Sequence, residues 1–119
     1  MLELGANDGL RGLPIDQMRD NLSQIIRMAK GRGITVLLCG MEAPPNFGPE
    51  YTRDFRKAFV ELAEDHDIAF IPFMLTGVAG DSALNQADGI HPNEEGTRRV
   101  ADLIWQSLQP LITRALATT

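Results

Sequence analysis

The sequence predicts an α/β fold built on a parallel sheet. Short apolar runs at residues 2–4, 34–39 and 68–71 alternate with long segments of helical periodicity. The run from Ile34 to Cys39 is β-branched and aliphatic with no polar alternation, as in a strand covered on both faces. The order strand then helix, three times over, implies parallel strands joined by right-handed crossovers.

Each element follows from local chemistry. Leu2-Glu3-Leu4 reads as a short strand, and Gly5-Ala6-Asn7-Asp8-Gly9 as the loop that breaks it. Pro14 suits the first turn of a helix, where a missing N–H is harmless. Met18, Leu22, Ile25, Ile26 and Ala29 then recur at three- and four-residue spacing, which makes one apolar stripe. Lys30 and Arg32 favour that helix's C-terminus, and Gly31 and Gly33 end it. Residues 40–50, rich in Pro and Gly, form a loop. A second helix is expected from Tyr51 to about His66, with Phe55, Ala58, Phe59, Leu62 and Ala63 on one side. Ile68 to Ile71 is a short buried strand stopped by Pro72. Residues 73–87 are a long connection with room for one helical turn, and Asp88 to Asn93 is a tight polar turn. A last helix runs from Glu94 to about Leu116, with Val100, Leu103, Ile104, Leu108 and Leu111 inward. Pro110 is expected to end or kink its last turns.

A chain of 119 residues is one domain or a piece of one, large enough to bury a core without disulfide or metal staples. With 11 basic and 16 acidic residues the net charge is −5, which argues against a nucleic-acid binder that tracks phosphates. The single cysteine, Cys39, lies in an apolar run and reads as a small buried hydrophobe. Two histidines, one cysteine and no ligand-spaced cluster indicate no metal site, and no segment has the character of a membrane span.

In parallel α/β sheets ligands gather beyond the C-terminal strand ends, here the loops 5–12, 40–50 and 72–93. Three clusters in these loops have chemical potential. In Asp88-Gly89-Ile90-His91-Pro92-Asn93, an aspartate three residues before a histidine can fold back onto the imidazole Nδ1–H, fixing the tautomer and stabilising the imidazolium. The spacing fits equally a plain Asx turn beside an exposed histidine. In Gly5-Ala6-Asn7-Asp8-Gly9, an Asn amide at a strand's end can donate to an oxyanion, although an ordinary turn has the same composition. Gly80-Asp81-Ser82-Ala83-Leu84 looks like a nucleophile block but lacks the buried strand that a rigid nucleophile turn needs. Ser23 and Ser107 sit on amphipathic helices, and His66 suits a helix C-terminus as a cation.

Together these blocks resemble the SGNH, or GDSL, hydrolase superfamily, most closely its bacterial arylesterase, thioesterase and lysophospholipase branch. The resemblance rests on Gly5-Ala6-Asn7-Asp8 after a strand, on Asp88-Gly89-Ile90-His91 before the last helix, and on Met41 to Gly48 between them, which resembles the loop bordering the acyl pocket. It runs through essentially the whole chain. It implies a three-layer α/β/α sandwich of flavodoxin-like order, with Asn7 as an oxyanion-hole donor, His91 as general base and acid, and Asp88 orienting His91. Gly5, Asn46 and Phe47 would border the substrate, a small-molecule acyl ester, and no cofactor is implied. Many such relatives are periplasmic or secreted; a signal region would lie upstream.

The departure from the family is equally specific. The family's nucleophilic Gly-Asp-Ser block and second oxyanion glycine lie upstream of Gly-x-Asn-Asp, where this chain has only four residues. The resemblance therefore implies that residues 1–119 are the C-terminal portion of one hydrolase domain, lacking roughly 60 to 80 residues of N-terminal strand and helix. Such a chain is expected to dimerise, aggregate or swap strands when alone, or to pair with the missing segment.

Overall fold

A computed structural model describes residues 1–117. The elements are α1 (Ala6–Arg11), α2 (Ile15–Gly31), β1 (Leu37–Cys39), a 3₁₀ turn at Pro45–Phe47, α3 (Pro49–His66), β2 (Ala69–Ile71) and α4 (Glu94–Ala117). β1 and β2 pair in parallel, Leu37 with Ala69 through Cys39 with Ile71. The chain thus has the predicted α/β character with a parallel sheet. It divides at Pro72–Phe73 into two compact units.

In the first unit the two predicted stripes meet. Met18, Leu22 and Ile26 of α2 and Phe55, Ala58, Phe59, Leu62 and Ala63 of α3 form one buried cluster with Val36 and Leu38. Each large apolar side chain so buried contributes about 1.5–3 kcal/mol, so this cluster dominates the unit's stability. Ile25, at the edge of its stripe, stays 39% exposed. α2 begins one residue after Pro14, which stands as its N-cap, and α3 begins at Pro49, placing proline at the tolerated first position. Asp67 ends α3 in the left-handed conformation (φ 49°), where its N–H bonds the Glu64 carbonyl.

Four expectations for this unit need correction. Residues 5–9 are not a loop, since Ala6–Arg11 is helical. Two glycines and an asparagine disfavour helix, but packing of this turn against the α3 rings overrides propensity. The Leu2–Leu4 strand shrinks to one parallel bridge between Leu2 and Leu38, closed by Leu2 N–H to the Leu37 carbonyl and Cys39 N–H to the Leu2 carbonyl. Ile34 and Thr35 are exposed, so regular pairing in the middle strand is confined to Leu37–Cys39. There all side chains are buried, as a strand covered on both faces requires. His66 also does more than complement a helix end. Its Nε2 lies 2.8 Å from Ser23 Oγ, joining α3 to α2, and its carbonyl accepts a hydrogen bond from Lys30 Nζ. Cys39 is fully buried, and that burial raises its thiol pKa, which leaves it unreactive.

The second unit comprises the long connection and α4. Residues 73–81 form a run of turns, in which Thr76 N–H bonds the Phe73 carbonyl and Val78 N–H the Leu75 carbonyl. Val78, Leu84 and the Asn85 side chain are buried; Asn85 Nδ2 donates to the Val78 and Asp81 carbonyls, each at 2.8 Å. α4 is fully buried only at Gly96 and Val100, while Leu103, Ile104, Leu108 and Leu111 are half-buried. It runs to Ala117, close to the expected extent, so of the expected end or kink at Pro110 the end does not occur. Pro110 is exposed, so the carbonyl that loses its intrahelical partner has access to water.

Candidate active site

Asp88 and His91 are brought together as the spacing predicts. Gly89, at φ 71°, lets the chain reverse between them. His91 Nδ1 lies 2.7 Å from Asp88 Oδ2, while Asp88 Oδ1 accepts the backbone N–H groups of Ile90 at 2.9 Å and His91 at 3.0 Å. The carboxylate therefore uses one oxygen to shape the turn and the other to hold the ring. An ionised Asp88 can only accept, so Nδ1–H donates to it and Nε2 is the ring nitrogen left to exchange a proton. Nε2 has no hydrogen-bond partner among the described residues, and the His91 side chain is 68% exposed.

These bonds hold the Asp88 carboxyl well below the usual carboxylate range, at about 2, chiefly through the His91 ring and then the His91 and Ile90 N–H groups. A depressed folded-state pKa means that the pair's contribution is fully present above the unfolded carboxyl pKa and is lost as pH falls towards about 2. A 13C titration of the Asp88 carboxyl should therefore show a midpoint near 2, and His91→Ala should return it towards the ordinary aspartate value.

The loop bearing the pair is fastened at both ends. Gln86 N–H bonds the His91 carbonyl at 2.8 Å, and Gln86 Nε2 donates to the Pro92 carbonyl at 3.1 Å. Asn93 Oδ1 accepts Gly96 N–H at 2.9 Å, capping α4, while Asn93 Nδ2 donates to the Ala83 carbonyl at 2.8 Å. Sequence reasoning assigned Asn93 no such role, although an asparagine directly before Glu94-Glu95 is a helix-start signal. Gly80-Asp81-Ser82 lies in the exposed connection. Asp81 Oδ1 accepts Ala83 N–H at 2.9 Å, an ordinary Asx turn, and no strand leads into Ser82.

Gly5, Asn7, Asn46 and Phe47 lie in the first unit. Gly5 (φ 105°) turns the chain from the Leu2 bridge into α1, and its carbonyl accepts Gly9 N–H at 3.3 Å. Asn7 is exposed in the first turn of α1, and its side-chain amide has no hydrogen-bond partner among the described residues. Asn7 and Gly5 border an open cleft of about 370 Å³, together with Leu4, Met18, Leu22 and Ile25. Asn46 and Phe47 form the 3₁₀ turn, both exposed, with the Phe47 ring 5.6 Å from that of Tyr51. A larger open groove of about 630 Å³, lined by charged groups such as Asp16, Arg19 and Lys57, contains none of the predicted site residues. Among the described residues no three His, Cys, Asp or Glu side chains converge as a metal site, and no helix is long and apolar enough to cross a membrane.

Comparison with known proteins places these features in a family. Residues 1–99 match the model of the GDSL-like lipase/acylhydrolase family. Esterase TesA of Pseudomonas aeruginosa is 40% identical over 112 residues, which cover 94% of this chain and 56% of TesA. Thioesterase 1/protease 1/lysophospholipase L1 of Escherichia coli strain K12 is 36% identical over 112 residues, 94% of this chain and 54% of that protein. The crystal structure of the psychrotrophic esterase EstA from Pseudoalteromonas sp., inhibited by monoethylphosphonate, superposes with a TM-score of 0.87 at 33% identity, covering 93% of this chain and 61% of EstA. The chain thus spans little more than half the length of these relatives. Matched over most of its own length in both sequence and fold, it belongs to the GDSL-like lipase/acylhydrolase family.

Proposed function

We propose that this chain is the acid–base and oxyanion portion of a serine ester hydrolase that cleaves small acyl esters through an acyl-enzyme. The observation that carries this reading is the Asp88–His91 pair, with Nδ1 2.7 Å from the Asp88 carboxylate and Nε2 without a hydrogen-bond partner among the described residues. A serine hydroxyl meeting Nε2 would lose its proton there as it attacks the ester carbonyl, and the imidazolium would return that proton to the leaving alcohol or thiol. Asp88 keeps the imidazolium paired throughout. Asn7, whose amide has no hydrogen-bond partner among the described residues, would donate to the oxyanion, and Asn46 and Phe47 would border the acyl group. The names of the relatives suggest aryl, thio- and lysophospholipid esters as the substrate range.

In this reading the nucleophile and the second oxyanion donor belong to the portion of the relatives' length that this chain does not span. Hydrolysis of p-nitrophenyl butyrate by the chain alone should then stay at background, unchanged by Ser82→Ala. Turnover by the chain alone that Ser82→Ala abolishes would overturn the reading and make Ser82 the nucleophile.

A further inference from the structure

The Asn7 turn rests on α3 in an unusual way. Three glycines of this segment each lie against an aromatic ring; a side chain would overlap the ring at Gly9 and Gly12 and would crowd Met18 and Phe59 at Gly5. A Cβ on Gly9 would stand 2.8 Å from Phe55 Cζ, one on Gly12 2.7 Å from Phe47 Cζ, and one on Gly5 3.2 Å from Phe59 Cζ. The rings form a continuous ladder along the 3₁₀ turn and α3. Phe47 meets Tyr51 at 5.6 Å, Tyr51 meets Phe55 at 6.2 Å and Phe55 meets Phe59 at 5.3 Å between centroids. Tyr51 adds a polar latch. Its hydroxyl donates to the Leu13 carbonyl at 2.7 Å, with the Asp8 carbonyl 3.3 Å away, so it grips the chain just behind Asn7. Phe55 and Phe59 are fully buried, which leaves the ladder little freedom to yield.

A six-residue helix containing glycine and asparagine does not hold its own shape. Among the described residues the Asn7 side chain has no hydrogen-bond partner, so its direction is set by where this turn sits. We propose that Gly9, Phe55 and Tyr51 are positioning residues for Asn7: the close glycine–ring contact and the hydroxyl latch aim its amide at the developing oxyanion. This rests on the reading of Asn7 as an oxyanion donor. An oxyanion donor acts only in the transition state, so a lifted or loosened turn lowers kcat and leaves KM alone.

The test is a double-mutant cycle in the chain combined with the portion of TesA that it does not span. Gly9→Ala, which ordinarily stabilises a helix, should here lower kcat about 10²-fold, the scale of an ångström's misplacement. Tyr51→Phe, which keeps the ring and loses the latch, should lower it about 5-fold, the scale of one hydrogen bond. KM should change by less than about twofold in both. In an Asn7→Ala background neither should reduce kcat further, because the group they aim is gone. Losses that add in full there, or that fall on KM, would overturn the proposal.

If the combined wild-type enzyme turns over no ester, the reading of Asn7 has failed, and the seating is read on the chain alone. Tyr51→Phe should then speed hydrogen exchange at the Asp8–Leu13 amides and shift the Asn7 side-chain amide resonance in 15N spectra. Gly9→Ala should do the same, and Phe55→Leu should relieve it. An unchanged Asn7 resonance and unchanged exchange in Tyr51→Phe would overturn the proposal on its own terms.

Discussion

His91→Ala should reduce kcat for p-nitrophenyl ester hydrolysis by the combined enzyme by about 10⁴-fold or more. The size follows from how the site would work. Without Nε2 the serine would have to attack as a neutral hydroxyl, and the leaving group would depart unprotonated. Stopped-flow or steady-state rates with p-nitrophenyl butyrate measure this directly. KM should change little, because the ring acts on a proton, not on ground-state binding. His91→Asn, which keeps the polarity and has no base, should be as defective as alanine. Asp88→Asn should also be severely impaired. An amide nitrogen facing Nδ1 favours the wrong tautomer, and the Ile90 and His91 N–H groups lose their ionised acceptor.

Asn7→Ala should lower kcat by about 10²- to 10³-fold, again with KM nearly unchanged. Its side chain is exposed and has no hydrogen-bond partner among the described residues, so truncation should leave the fold intact. Thermal melting of the variant alongside the parent checks this, and unchanged melting with a large kcat loss separates a transition-state role from a structural one. Asn7→Asp, isosteric but acceptor-only when ionised, should be at least as damaging, since it sets a negative charge against the oxyanion.

Much of this was legible in the residues. The α2 and α3 stripes are legible because helical periodicity is a local signal that tertiary packing then uses, apart from Ile25 at the edge. The Asp88–His91 contact was legible for the same reason, because a three-residue spacing across a glycine closes locally. What depends on distant partners was not. α1 reads as a loop because its composition disfavours helix, and the rings that seat it, Phe47, Phe55 and Phe59, lie far along the chain. The Tyr51 hydroxyl gives no sign in sequence of reaching Leu13, nor does His66 of meeting Ser23. Of the two outcomes expected at Pro110, an end or a kink, the helix does not end, because an exposed helix surface tolerates the lost N–H. Leu2-Glu3-Leu4 reads as a strand on composition, yet Leu4 is exposed and pairing is confined to Leu2.

The central claim is that this chain supplies the base and the oxyanion donor while its nucleophile comes from the portion of the family fold that it does not span. The most direct test titrates that portion of TesA into a fixed concentration of this chain and follows p-nitrophenyl butyrate hydrolysis. The account predicts a rate that rises and saturates with the added segment, that neither component gives alone, and that is lost with His91→Ala in this chain. A rate that stays at background throughout, or one that survives His91→Ala, would contradict it.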